Sequence, residues 1–193
     1  MEKTQVRLLD TAAQLFAKHG YAGVSMRDIA GAVGITQAAI YHHFANKDAL
    51  YLGAITYLFE ELTRDIGDQL VDINDPEQQL GSLITAMLEI MDEDHRFRRV
   101  YLRELIEGDE RRLAALARNT FAAFYERLYA LMAELAPERD PQLLIFSMAG
   151  LVFHHLEARK LAPYLPHHPA QETSLAALAA HITQLFLSGI RAA

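Results

Sequence analysis

The sequence predicts an all-α protein: a three-helix N-terminal head built around a helix-turn-helix, joined to a larger helical domain, about nine helices in total. Three observations carry this. Apolar residues recur at helical spacing along most of the chain, with no alternating strand pattern and no internal repeat. Glycine, proline, aspartate and asparagine gather at short breaks between these runs. Finally, Ser25 to Lys47, SMRDIAGAVGITQAAIYHHFANK, reads as helix, tight turn, helix and a new helix start.

The first helix is expected from about Thr4 to His19. Val6, Leu9, Ala13 and Phe16 make one stripe, widened by Leu8, Ala12 and Leu15. Lys18 and His19 suit the negative end of the helix dipole, and Gly20 stops it. Only Lys3 carries positive charge before it, so no basic minor-groove arm is expected.

The second helix has Met26, Ile29, Ala30 and Val33 on one face. Ser25, with Asp28 three residues on, makes a capping-box-like start. Gly34 ends it, because glycine enters the left-handed conformation without a Cβ clash. Thr36 caps the third helix, in which Ile40 and Phe44 point to the core. Gln37, Ala38, Tyr41 and His42 point elsewhere. A short helix, polar on one side, fits the major groove. Gln37 can bond adenine through two hydrogen bonds, and Ala38 or Ala39 can touch a thymine methyl. Asn46 and Lys47 open the fourth helix, whose free N–H groups and adjacent ammonium suit a phosphate.

That helix should run to about Leu70, roughly 35 Å at ~1.5 Å per residue. No glycine or proline cluster separates it from the head, so it is expected to carry motion between domains rather than act as a loose linker. Helices then follow over about Gln78–Asp92, Asp94–Glu107, Glu110–Leu135, Gln142–Leu161 and Ser174–Ile190. Their breaks are Asp72–Glu77, Gly108–Asp109, Pro137 and the loop with Pro163, Pro166 and Pro169. The last two helices are apolar on more than one side and would expose too much apolar surface alone. Pairing them with a second copy gives a four-helix interface with twofold symmetry.

Length and composition agree with this outline. At 193 residues the chain can bury a substantial core, and 51% hydrophobic residues make it globular rather than disordered. It has no cysteine, which removes disulfides, thiolate metal sites and thiol redox sensing and favours a reducing setting. The N-terminus lacks an apolar signal core, and the longest apolar run, Leu143 to Phe153, is far short of the ~20 residues that span a bilayer. A soluble, cytoplasmic protein with no membrane partner is expected. Net charge is −7, which argues against coating nucleic acid; residues 1–50 carry +1 and the remainder −8. A near-neutral reading head allows specific binding with weak, salt-sensitive non-specific binding.

The residues Gly20–Tyr21, Gly23–Val24–Ser25, Ile29–Ala30, Val33–Gly34–Ile35–Thr36, Ile40–Tyr41–His42–His43–Phe44, Lys47 and Leu50 resemble the DNA-binding domain of the TetR family of transcriptional repressors. The resemblance covers about Leu8 to Leu50. It departs mildly where Ile35–Thr36 replaces a common Val–Ser, and where Ala39 forgoes one hydrogen bond to DNA. It implies a DNA-binding domain over 1–46 and a ligand-binding and dimerisation domain over 47–193. Ser25, Tyr41 and Lys47 would hold phosphates; Arg27, Gln37, Ala38 and His43 would face bases; Thr36 would cap and touch phosphate, with His42 beside them.

The larger domain of this family holds a small-molecule pocket. The candidates here are Tyr57, Phe59, Tyr101, Glu104, Phe121, Phe124, Tyr125, Phe146 and Phe153, which favour an apolar or aromatic ligand. Aromatics at helical spacing also serve as plain core, and Glu104 reads as a surface residue. The dimer candidates are Leu144, Met148, Leu151, His155, Leu178, Ile182 and Leu185.

Nine histidines invite a metal reading. His154–His155 and His167–His168 are adjacent pairs that point apart on a helix, and no Glu-x-x-His occurs, so neither a metal nor a cofactor is expected. No cysteine nucleophile and no G-x-S-x-G is present, which argues against a helical-bundle enzyme. The expectation is a ligand-responsive homodimeric repressor that binds a palindromic operator and is released by a small molecule. The alternative is an all-α ligand carrier or partner-binding protein whose head does not bind DNA.

Overall fold

The computed structural model describes residues 3–70, 73–167 and 173–191. All elements among the described residues are helical, in agreement with the sequence. The chain forms two compact units, Met1–Leu62 with Asp94–Ala122, and Thr63–Glu93 with Ala123–Ala193.

In the first unit, α1 (Lys3–His19) buries Leu8, Leu9, Ala12, Ala13, Phe16 and Ala17. This two-residue-wide stripe packs on α2 (Met26–Val33) and on α6 (Arg96–Glu107). The first unit therefore takes in more chain than the expected head. Arg96 ties α6 to α1 by bridging Asp94 and Asp10, each at 2.5 Å. The N-terminal part of α4 (Lys47–Leu70) contributes Leu50, Tyr51, Ala54, Ile55, Leu58 and Phe59 to this core.

After α6, Asp109 caps α7 (Glu110–Leu116) by accepting from the N–H groups of Arg111 and Arg112. Then comes a π-helical turn, Ala117–Phe121. It interrupts the single helix expected over Glu110–Leu135, and apolar spacing does not mark it. It holds Thr120, whose hydroxyl pairs with that of Thr56 at 2.7 Å, and Phe121, whose ring meets Phe59 edge-on at 4.8 Å. A π turn inserts one extra residue into the helical ladder and so re-aims the side chains around it.

In the second unit, α5 (Pro76–Glu93) buries Leu80, Leu83, Ile84, Ala86, Met87, Leu88 and Met91. Residues on two faces are buried because both α9 (Pro141–Ala158) and α10 (Leu175–Arg191) pack on it. The same unit holds α8 (Ala122–Leu135), which buries Leu128 and Met132. Asp140 caps α9 through the Gln142 N–H, with Pro141 at its first position. The helix ends at Ala158, sooner than the apolar run suggested, and Ala162–Tyr164 forms a 3-10 turn. Pro169 and His168 lie outside the described residues.

Candidate nucleic-acid interface

The helix-turn-helix forms as its capping residues dictate. Ser25 Oγ accepts from the Asp28 N–H at 3.2 Å, and Asp28 Oδ2 accepts from the Ser25 N–H at 2.9 Å, a complete capping box. The Ser25 hydroxyl also donates to Asp28 at 2.6 Å, and these bonds hold the Asp28 carboxyl below its ordinary value. Gly34 ends α2 in the left-handed region, φ 76°, and its N–H reaches Ala30 O at 2.9 Å. Arg7, from α1, donates to Val33 O at 2.5 Å and so satisfies another carbonyl of that last turn.

The turn leads into α3 (Gln37–His43). At seven residues it is too short to be stable alone. Thr36 Oγ1 accepts from the Ala39 N–H at 3.2 Å, and Ile40 is fully buried beneath the helix. These two anchors leave Thr36, Gln37, Ala38, Tyr41, His42 and His43 exposed on the outer side, with Ser25 and Arg27 exposed at the start of α2. Of the expected core residues, Ile29 and Ile40 are buried and Phe44 is half-buried. Asn46 Oδ1 accepts from the Ala49 N–H at 2.8 Å and so starts α4.

Of the expected DNA contacts Ala39 is half-buried, and so is Lys47. Its Nζ lies 4.1 Å from the centre of the Tyr21 ring, and burial, with the nearby Arg112 cation, lowers its pKa. The Tyr21 hydroxyl donates to Asp48 Oδ1 at 2.6 Å. Burial and that carboxylate push the phenol up to about 12. Sequence reasoning did not find this arrangement. Tyr21 and Arg112 are far apart along the chain, and no periodicity links them.

The ligand candidates disperse. Tyr101, Phe121, Phe59 and the unforeseen Phe97 form an aromatic cluster within the first unit, with ring centres 4.8 to 6.5 Å apart. Tyr57 donates to Glu61 at 2.6 Å in the same unit. Glu104 is not a surface residue: it is 3% exposed, accepts from the Tyr51 hydroxyl at 2.9 Å and pairs with Arg112 Nε at 3.0 Å. A buried carboxylate is tolerated there because both oxygens are hydrogen-bonded. In the second unit a cavity of about 370 Å³ is lined by Thr63, Ile66, Gln79, Leu83, Phe124 and Arg127, among others. Phe124 is the candidate that reaches it. Tyr125 lies half-buried beside Tyr129, Phe153 is in the packed core, and Phe146 is on the surface at 58% exposure.

The dimer candidates divide by exposure. Met148, Leu178 and Ile182 are covered by their own chain, because α9 and α10 pack on α5 and on each other. Leu144, Leu151 and His155 are half-buried, and Leu185 is 50% exposed. Leu143 and Phe146, at 64% and 58%, add to the outward apolar face of α9. His155 faces His181 across α9 and α10 with ring centres 6.1 Å apart. Among the described residues, no group of three His, Cys, Asp or Glu could hold a metal ion. No described helix is long and apolar enough to cross a membrane.

Residues 8–54 match the family described as bacterial regulatory proteins, tetR family. The chain is 33% identical over 118 residues to the HTH-type transcriptional repressor KstR2 of Mycobacterium tuberculosis, an alignment covering 59% of this chain and 54% of that protein. It thus spans about half the length of the curated relatives it matches. The whole fold is shared more widely. The FadR regulator of Bacillus subtilis, solved with stearoyl-CoA, superposes with a TM-score of 0.78 at 16% identity, covering 95% of this chain and 97% of that one. AibR, solved with isovaleryl coenzyme A and operator DNA, gives a TM-score of 0.71 at 22% identity over 95% and 97%. Such low identities speak for the fold alone. The capping pattern, the glycine turn and the spacing of residues 8–54 all agree with that match, so this N-terminal segment is similar to the DNA-binding domain of the tetR family of bacterial regulatory proteins.

Proposed function

We propose that the protein is a ligand-responsive transcriptional repressor that binds a palindromic operator as a homodimer and is released by a small molecule. The observation that carries this reading is the exposed row Thr36, Gln37, Ala38, Tyr41, His42 and His43 on a short helix held from beneath by Ile40. In this reading residues 1–46 bind DNA and 47–193 bind ligand and dimerise. Gln37, Ala38, His43 and Arg27 read bases, while Ser25, Thr36, Tyr41 and Lys47 hold phosphates. The outward apolar side chains Leu143, Phe146 and Leu185 support a second copy as the partner of α9 and α10. The two heads then meet half-sites about one DNA turn apart, ~34–36 Å.

The effector class we favour is an acyl thioester of coenzyme A. Two proteins of the same fold were solved with such molecules. The cavity of the second unit supports it, with an apolar wall from Ile66, Leu83 and Phe124 and the guanidinium of Arg127 available to an anionic group. Its volume of about 370 Å³ is at the small end of ligand pockets and fits the acyl portion. A ligand shifts the operator-binding equilibrium only through its preference for the non-binding state.

The test is selection from a random duplex pool with the purified protein at physiological salt. Enrichment of a palindrome with half-sites one turn apart is the expected result, followed by its release on adding acyl-CoA esters of graded length. A folded dimer that enriches nothing, even after unfolding and refolding to strip bound ligand, overturns the reading in favour of a carrier.

A further inference from the structure

We infer that Arg112, held by the buried Glu104, is a positioning residue for DNA binding: through the ring of Tyr21 it sets Lys47 and Asp48 at the start of α4. The inference rests on the proposed reading of Lys47 as a phosphate contact. All of its members belong to the first unit.

The chain of contacts is short and continuous. Glu104 accepts from Arg112 Nε at 3.0 Å and from the Tyr51 hydroxyl at 2.9 Å, so the carboxylate is fixed from two sides. Arg112 is anchored in its turn and lies over aromatic rings. Its guanidinium carbon is 4.2 Å from the centre of the Tyr21 ring and 5.7 Å from that of Tyr51. Tyr21 also packs edge-on against Tyr51, with ring centres 5.0 Å apart. The Tyr21 ring therefore takes two cations, Arg112 and, at 4.1 Å, Lys47. Its hydroxyl holds Asp48, whose Oδ1 is also 3.8 Å from an Arg112 terminal nitrogen.

Two consequences follow for a phosphate arriving at Lys47. Asp48 is an anion beside the incoming anion, and its charge is offset by the Tyr21 hydroxyl and by Arg112. Lys47 is held on a ring face rather than ranging freely, so less side-chain freedom is lost when it pairs. Arg112 itself is tied to Glu104 and does not replace counterions on the DNA. A direct phosphate contact and a positioning residue therefore leave different signatures. Losing the first lowers affinity and flattens the dependence on salt; losing the second lowers affinity at unchanged slope.

The experiment combines a double-substitution cycle with a titration. Binding to the selected duplex is measured over a range of salt for the wild type, Lys47→Ala, Arg112→Gln, Arg112→Lys and the pair Lys47→Ala with Arg112→Gln. Arg112→Gln should weaken binding roughly fivefold with its salt slope unchanged. In the Lys47→Ala background it should have little further effect. Arg112→Lys should not rescue, since an ammonium offers neither the planar stack nor the Nε–H bond to Glu104. In the same proteins without DNA, NMR titration of the Lys47 side chain should show its pKa rising once the Arg112 cation is gone. Additive losses with an unchanged Lys47 titration, in folded variants, overturn the inference. If the wild type selects no duplex, the functional reading fails, and the titration alone decides whether Arg112 sets Lys47.

Discussion

Replacing Thr36 by alanine removes the acceptor for the Ala39 N–H at the start of α3, a bond of 3.2 Å. The helix has only seven residues, so one cap is a large share of what holds it. Thr36 is exposed, and the freed N–H can turn to water, so no burial penalty adds to the loss. The cost is that of an ordinary N-cap, about 1 kcal/mol. In a chain of this size that lowers the melting temperature by roughly 2–4 °C. If α3 must be formed to bind, operator affinity falls by up to about fivefold. Thermal unfolding, amide exchange at Ala39 and duplex binding read the three effects. Thr36→Asp separates the roles, because aspartate caps at least as well but repels a phosphate. It should restore stability and still bind DNA poorly. If Thr36→Ala leaves both the melting temperature and the Ala39 exchange unchanged, the cap is not what holds α3. If Thr36→Asp binds operator as the wild type does, no phosphate approaches this position.

Gly53→Ala places a Cβ 2.9 Å from Phe44 Cε1 and 3.3 Å from Leu9 Cδ2. Overpacking of about 1–3 kcal/mol should outweigh the ~1 kcal/mol gain in helix propensity, so the midpoint of urea unfolding falls. Leu185→Glu and Phe146→Glu change exposed positions and should leave the monomer folded. Both should convert a dimer to a monomer in sedimentation, and two folded variants that still sediment as dimers would move the interface elsewhere. The His155 imidazole titrates below its ordinary value, chiefly through burial and then through His181 and His154. The fold thus favours its neutral form. That contribution is full above about pH 6.5 and is lost as pH falls through the depressed value. Melting temperature should drop more steeply on acidification for the wild type than for His155→Gln.

Local rules were legible wherever one residue decides a conformation. Ser25 with Asp28, Gly34, Thr36, Asp109, and Asp140 before Pro141 each placed a helix boundary, and the structure puts helix starts or ends there. These signals work because a cap or a left-handed glycine acts within a few residues of itself. The exposure of Gln37 and Tyr41 followed likewise, since burying Ile40 fixes the opposite face of a short helix.

What the sequence could not determine were the side-chain meetings that depend on how helices pack. The apolar residues of α9 and α10 were recognisably core-forming, but Met148 and Ile182 could equally have faced another copy. Only their packing with α5 shows that they are covered within the chain. Phe146, on the same helix, faces outward instead. Glu104 read as a surface charge because a lone glutamate on a mixed helix usually is one. It is buried because Tyr51 and Arg112, distant or a break away in sequence, supply the hydrogen bonds that make burial tolerable. Periodicity reports which face of a helix is apolar, and capping reports where the helix begins. Neither encodes which helix will arrive to cover that face, so the partners of Tyr21 and the lining of the cavity were decided by tertiary packing alone.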